Sequence, residues 1–167
     1  MPSGLHDVSI PVFARMLRNV STLLDKAVAD AEVRKFEPAV LLGSRLYPDM
    51  FPLLRQVQLA CDFAKGASAR LAGIAVPAFP DEETTVDELK ARIAKVLAFI
   101  AGVSHADVDG GAERTITIKL RDGSVDMKGI DYLNNMAMPN FYFHVTTVYA
   151  ILRHNGVPIG KRDFVGV

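Results

Sequence analysis

The chain holds a single cysteine, Cys61, among 167 residues, so no disulfide can form within it. Cysteine used so sparingly fits a reducing compartment and predicts a cytoplasmic protein. An excess of charge of one sign is missing too. Lys plus Arg number 19, Asp plus Glu number 19, and the formal net charge is zero. Nucleic-acid and anionic-membrane binders concentrate basic charge, so neither nucleic acid nor membrane is expected as a partner. Weak self-repulsion also accommodates a homo-oligomer, and a homodimer is the expectation. No apolar run approaches the roughly 18 residues of a membrane span. Met1 to Asp7 show neither the basic nor the apolar region of a secretory signal peptide. Familiar catalytic signatures are absent as well. There is no Gly-rich phosphate loop, no nucleophile elbow around Ser3, Ser9, Ser21 or Ser44, and no calcium-loop spacing among Asp109, Asp122 and Asp126.

What is present is ordinary for one globular domain: 50% hydrophobic and 23% charged residues. A chain of this length buries about 70% of its unfolded surface. Four segments carry apolar residues at alternating spacings of three and four, the stripe of a helix packed on one face. The first is Ile10, Phe13, Leu17, Val20, Leu24, Ala27 and Ala31, with Ser9 as expected cap and Pro11 in the first turn. The second is Met50, Leu53, Val57, Ala60, Ala64, Ala67 and Leu71, expected to be capped by Asp49 and stopped at Gly73. Its alanines predict close approach of a neighbouring helix. The third is Val86, Leu89, Ile93, Val96 and Ile100, opened by a Thr85–Glu88 capping box. The fourth is Phe141, Val145, Val148 and Leu152, running from Pro139 to Asn155-Gly156. Repeats of this kind predict an all-α, four-helix bundle spanning residues 1–167 as a single domain.

The connections carry further signals. A helical turn or two is expected at Ala39 to Leu42. Pro77, Pro80 and the acidic run Asp81-Glu82-Glu83 read as a solvated loop. Alternation at Ile116, Ile118 and Leu120, then Asp122-Gly123, then Val125 and Met127, predicts a small β-hairpin insertion over 115–128, before the last helix. Residues 157–167 read as an extended tail.

Polar groups beside an apolar seam are the informative ones. His144 precedes seam residue Val145, Asn140 lies one turn earlier on the same face, and Gln56 takes the equivalent place before Val57. These three are the candidate ligand-binding residues, with Tyr47 and Asp49 closing one end of the pocket. For His144 alone, the plainer alternative is a hydrogen-bonded histidine at a helix interface. No His-x-x-x-His pair is present, since His144 and His154 are ten apart. His154 suits a helix end, and His6 and His105 read as surface residues. Asp62 reads as outward-facing, Cys61 as an inert half-buried thiol, and Lys161-Arg162 as part of a solvated tail.

Several stretches together carry a family resemblance: Ser9-Ile10-Pro11-Val12-Phe13, Pro48-Asp49-Met50-Phe51-Pro52-Leu53, Phe63-Ala64-Lys65-Gly66, Gly129-Ile130-Asp131-Tyr132-Leu133, Pro139-Asn140-Phe141-Tyr142-Phe143-His144, and Lys161-Arg162-Asp163-Phe164. The chain resembles an uncharacterised bacterial family of the DinB/YfiT-like four-helix superfamily. That resemblance implies a bundle whose metal site takes one histidine from the second helix and a His-x-x-x-His pair from the last. Some members resemble transferases that use low-molecular-weight thiols. Here the pair falls on Asn140 and His144, and the second-helix position falls near Gln56. Amides are poor ligands beside imidazole, so a divalent metal site at His144 reads as degenerate. Three functions follow as expectations. One is a small-molecule pocket around His144. Another is a metal-dependent thiol transferase with His144 and Asp49 among its ligands. The third is a non-catalytic dimer gripping through the hairpin and the Phe141-Tyr142-Phe143 run.

Overall fold

All seven seam residues of the first stripe are buried along one face of α1 (Ile10–Arg34), joined there by Met16 and Leu23. The same holds for α4 (Val86–Ala101) and α7 (Met138–His154), whose predicted stripes are buried throughout. In α3 (Leu53–Ala72) the stripe from Leu53 to Leu71 is buried, and Met50 lies ahead of the helix. The computed structural model describes residues 4–167. Its four long helices form a bundle in which α3 packs against α7 and α4, and α1 packs against the same two. The α3–α7 contact is the most extensive, and Ala60, Ala64 and Ala67 of α3 are fully buried. Phe13 and Phe141 meet edge to face, 4.9 Å between centroids, where α1 crosses α7. Burying a side chain of this kind stabilises the fold by about 1.5–3 kcal/mol. No helix among the described residues is long and apolar enough to cross a membrane.

The shorter elements connect the long helices, and the last of them lies along α1. They are α2 (Ala39–Leu42), α5 (His105–Asp109), the antiparallel pair β1 (Thr115–Leu120) and β2 (Gly123–Lys128), α6 (Gly129–Tyr132) and α8 (Lys161–Val165). In the hairpin Leu120 faces Gly123, so the loop is Arg121-Asp122, and Ile116 turns into the core. At the hairpin base the backbone of Gly129 lies against the carbonyl of Gly111, where an added Cβ would come within 2.0 Å. No other residue type fits there.

A π turn, Leu133–Ala137, joins α6 to α7. Pro139 has no N–H to give the turn before it, and the widened turn accommodates that loss. Asn140 Nδ2 then donates to the Met136 carbonyl at 2.7 Å.

Three local expectations need correction. Ser9 occupies the cap position of α1, but its hydroxyl donates back to the Leu5 carbonyl at 2.6 Å instead of capping. Helix α3 begins at Leu53, with Pro52 as the extended residue before it, so Asp49 caps nothing. Pro52 pushes Phe51 out of helical geometry and so delays the start. The tail is not extended throughout, because α8 forms where Asp163 Oδ2 accepts the Gly160 N–H at 2.7 Å. Asn19 Nδ2 donates to the Phe164 carbonyl at 3.0 Å and docks that helix on α1. The Thr85–Glu88 capping box is formed as expected.

Candidate functional site

His144 and Gln56 meet between α7 and α3. Nδ1 of the imidazole lies 2.7 Å from Gln56 Oε1, and both side chains are buried. The amide orientation is fixed by its other end, because Gln56 Nε2 donates to the Phe51 carbonyl at 3.1 Å. The oxygen must therefore face the ring, and an oxygen there requires the proton on Nδ1. Nε2 is left with its lone pair and makes no hydrogen bond among the described residues. Burial first, and the nearby Arg55 charge second, push the imidazole pKa below its ordinary value. At neutral pH the ring is thus uncharged, with one nitrogen locked as donor and the other open as acceptor.

Aromatic rings hold this imidazole in place. Phe63, seven residues after Gln56 on α3, stacks on it at 5.5 Å and 20°, and Phe143 meets it edge-on at 5.3 Å. The i, i+7 spacing from Gln56 was the available sequence signal for Phe63. Phe143 also lines an open depression of about 430 Å³ with Leu46, Met50, Tyr142 and Thr147. Phe143, Tyr47 and Phe51 are exposed at 55%, 66% and 56%, which concentrates apolar surface at this end of the bundle.

The remaining expected site residues do not join the pair. Asn140 is one turn away, with its amide committed to the π turn. Asp49 and Tyr47 are exposed on the loop before α3, a loop braced by Arg45 bonds to the Pro48 and Met50 carbonyls. Of the five candidate residues, the structure brings together His144 and Gln56.

A second polar cluster sits on the other side of α3. Arg92 of α4 is almost wholly buried and donates to Asp62 at 2.9 Å, to Glu83 at 3.0 Å and to the Pro80 carbonyl at 3.0 Å. Asp81 lies 2.9 Å from the same guanidinium, and Gln58 donates to Glu83 at 2.8 Å. The acidic run expected to be a solvated loop is therefore folded down onto a buried cation, and the outward-facing Asp62 is one of its partners. Burial opposes the charge on Arg92, but the carboxylates outweigh it and raise the guanidinium pKa. Phe79 of the same loop is flanked by Lys65 and Lys95, 4.5 and 4.2 Å from its centroid. Cys61, beneath the cluster, is fully buried, and burial pushes its thiol up to about 12. It cannot act as a thiolate at neutral pH.

The fold is that of a DinB-like helical bundle. A crystal structure of a DinB family member from Shewanella denitrificans is similar, with a TM-score of 0.91 and 46% identity over 98% of this chain and 92% of that one. The chain belongs to the family described as Domain of unknown function (DUF1993), which matches residues 5–165. Comparison with curated proteins gives no match.

The three-histidine metal site implied by the resemblance does not fit the residues present. His144 is the one imidazole, Gln56 spends its oxygen on Nδ1, and Asn140 spends its NH₂ on Met136. One imidazole with two neutral amides, one of them with its oxygen already spent, offers a divalent metal too few strong donors.

Proposed function

We propose that the protein binds a small amphipathic molecule, with an apolar body and one hydrogen-bond donor, at the His144 end of the bundle. The carrying observation is the preset imidazole. Gln56 holds the proton on Nδ1, so Nε2 presents a lone pair, and burial keeps the ring neutral. A neutral acceptor beside aromatic surface suits a phenol-like or amide-like donor; Phe143 both meets the imidazole and lines the neighbouring depression with Leu46 and Met50, where the apolar part would lie. A metal-dependent thiol transferase finds no support in this donor set.

The test is an NMR titration with simple phenols and primary amides. Shifts should concentrate at Met50, Phe143, His144 and Thr147, and His144→Ala should abolish them while the variant stays folded. Shifts elsewhere, or binding unchanged in His144→Ala, would sink the reading.

The exposed apolar face favours a second reading, a homodimer that packs Leu46, Tyr47, Phe51 and Phe143 against a second copy. Sedimentation equilibrium should then give a dimer that Phe143→Glu turns into a monomer. A wild-type monomer at high concentration excludes it.

A further inference from the structure

We propose that His6, Asp7 and His105 form a binding site for a divalent transition-metal cation, zinc first, with Asp109 as the outer partner that orients His105. His6 and His105, read from sequence as surface residues, lie against each other with ring centroids 4.0 Å apart and planes tilted by 36°. One Asp7 oxygen, Oδ1, lies 3.4 Å from His6 Nδ1 and 3.2 Å from His105 Nε2. One ligand atom from each of the three residues lies within 4.8 Å of the others. Donor atoms around a tetrahedral zinc stand about 3.3 Å apart, given Zn–N bonds of about 2.0–2.1 Å. Two of the three separations already match, and a small turn of the exposed His105 ring closes the third.

The outer shell supplies the second, independent observation. His105 Nδ1 lies 3.2 Å from Asp109 Oδ2, so the nitrogen away from Asp7 has its own carboxylate. This is the arrangement that fixes the tautomer and direction of a metal-ligating histidine. Asp109 is itself held, because Oδ1 accepts the backbone N–H of His6 at 2.8 Å. The backbone of Gly4 also lies against this carboxylate, where an added Cβ would come within 2.2 Å. Two imidazoles and one carboxylate suit zinc and its transition-metal neighbours better than magnesium or calcium, and leave a fourth position for water. A bound ion would clip the segment before α1 to α5, positions 98 residues apart.

The experiment is calorimetric titration of tag-free protein with Zn²⁺, repeated with Co²⁺ and read by visible absorption. One ion per chain is expected, with the strong d–d bands of tetrahedral cobalt. His6→Ala and His105→Ala should each weaken binding more than tenfold, and Asp109→Asn by about 10- to 100-fold. His105 is exposed and His6 and Asp109 are partly so, and Asn keeps an acceptor for the His6 N–H, so metal-free melting temperatures should stay close to wild type. Should a variant misfold, sub-stoichiometric Cu²⁺ on unaltered protein should broaden the resonances of residues 5–8 and 104–109 before all others. Binding only at millimolar metal, binding that survives both histidine substitutions, or broadening centred elsewhere overturns the proposal. So does binding lost in His144→Ala but kept in His105→Ala.

Discussion

Helix α3 carries a buried polar cluster on each of two sides, and the two differ in what they leave open to a ligand. On the α4 side, Arg92 meets three carboxylates and a backbone carbonyl. Its carboxylate-facing nitrogens are committed, and the unpaired Nε is too deeply buried for a ligand to reach. On the α7 side, His144 has one nitrogen committed and one without a hydrogen-bond partner among the described residues. A cluster whose charges are met inside the fold is a fastener, whereas one with an open acceptor is pre-organised to receive something. The difference follows from chemistry: a guanidinium draws several acceptors to itself, while a neutral imidazole needs one acceptor to choose its tautomer.

Substitutions test that contrast. Arg92→Met should be the most damaging, because it removes the buried cation that Asp62, Asp81 and Glu83 share, leaving Asp62 to Lys65, Asp81 to Arg55 and Glu83 to the neutral Gln58. A loss of about 3 kcal/mol in urea unfolding is expected, at the low end for broken buried pairs because the acids are part-exposed. A loss below about 1 kcal/mol would mean that the cluster fastens nothing.

Gln56→Leu should cost about 1–3 kcal/mol, because it leaves Nδ1 and the Phe51 carbonyl without partners. Gln56→Glu sharpens the point, since a carboxylate beside Nδ1 should raise the imidazole pKa, followed by NMR of its ring protons. An unchanged pKa would break the claim that this side chain sets the ring.

A pH titration separates the clusters further. His144 is held below its ordinary value by burial first and Arg55 second, so the unfolded chain takes up this proton more readily than the folded one. Its share of stability is complete above the unfolded value of about 6.5 and is lost as pH falls through the lower folded value. Wild type should therefore lose stability faster than His144→Leu between pH 7 and 5, and parallel curves would refute it. Phe143→Ala should be the mildest change, within about 0.5 kcal/mol on the exposed face, while weakening any ligand or dimer contact there.

The helix faces were readable because burial imposes a period. The stripes of α1, α4 and α7 follow directly from the sequence, and so does the hairpin, whose alternation and Asp-Gly signal fix the 115–128 span. Gln56 and His144 were readable by the same rule, as polar residues one place before a seam position. Arg92, just before Ile93, obeys it too. Its partners Asp81 and Glu83 were not readable, because 73–85 is a loop and loops show no period, and Asp62 on α3 gave only an outward-facing position. The same limit hid the meeting of His6 with His105, which depends on how the segment before α1 returns to α5. The start of α3 was misplaced because apolar spacing continued through Met50 while Pro52 set the real boundary.

The π turn at Leu133–Ala137 has a consequence for the chain as a ruler. Each residue advances a helix by about 100°, so one extra residue in a turn resets the phase of everything beyond it. Upstream, α6 keeps Tyr132 in step with Arg70, whose guanidinium donates to the phenol at 3.2 Å; downstream, His144 keeps step with Gln56. Neither phase dictates the other. Deleting one residue from 134–136 should merge them, swinging His144 about a quarter-turn from α3 or pulling the hairpin off its base, whichever gives way first.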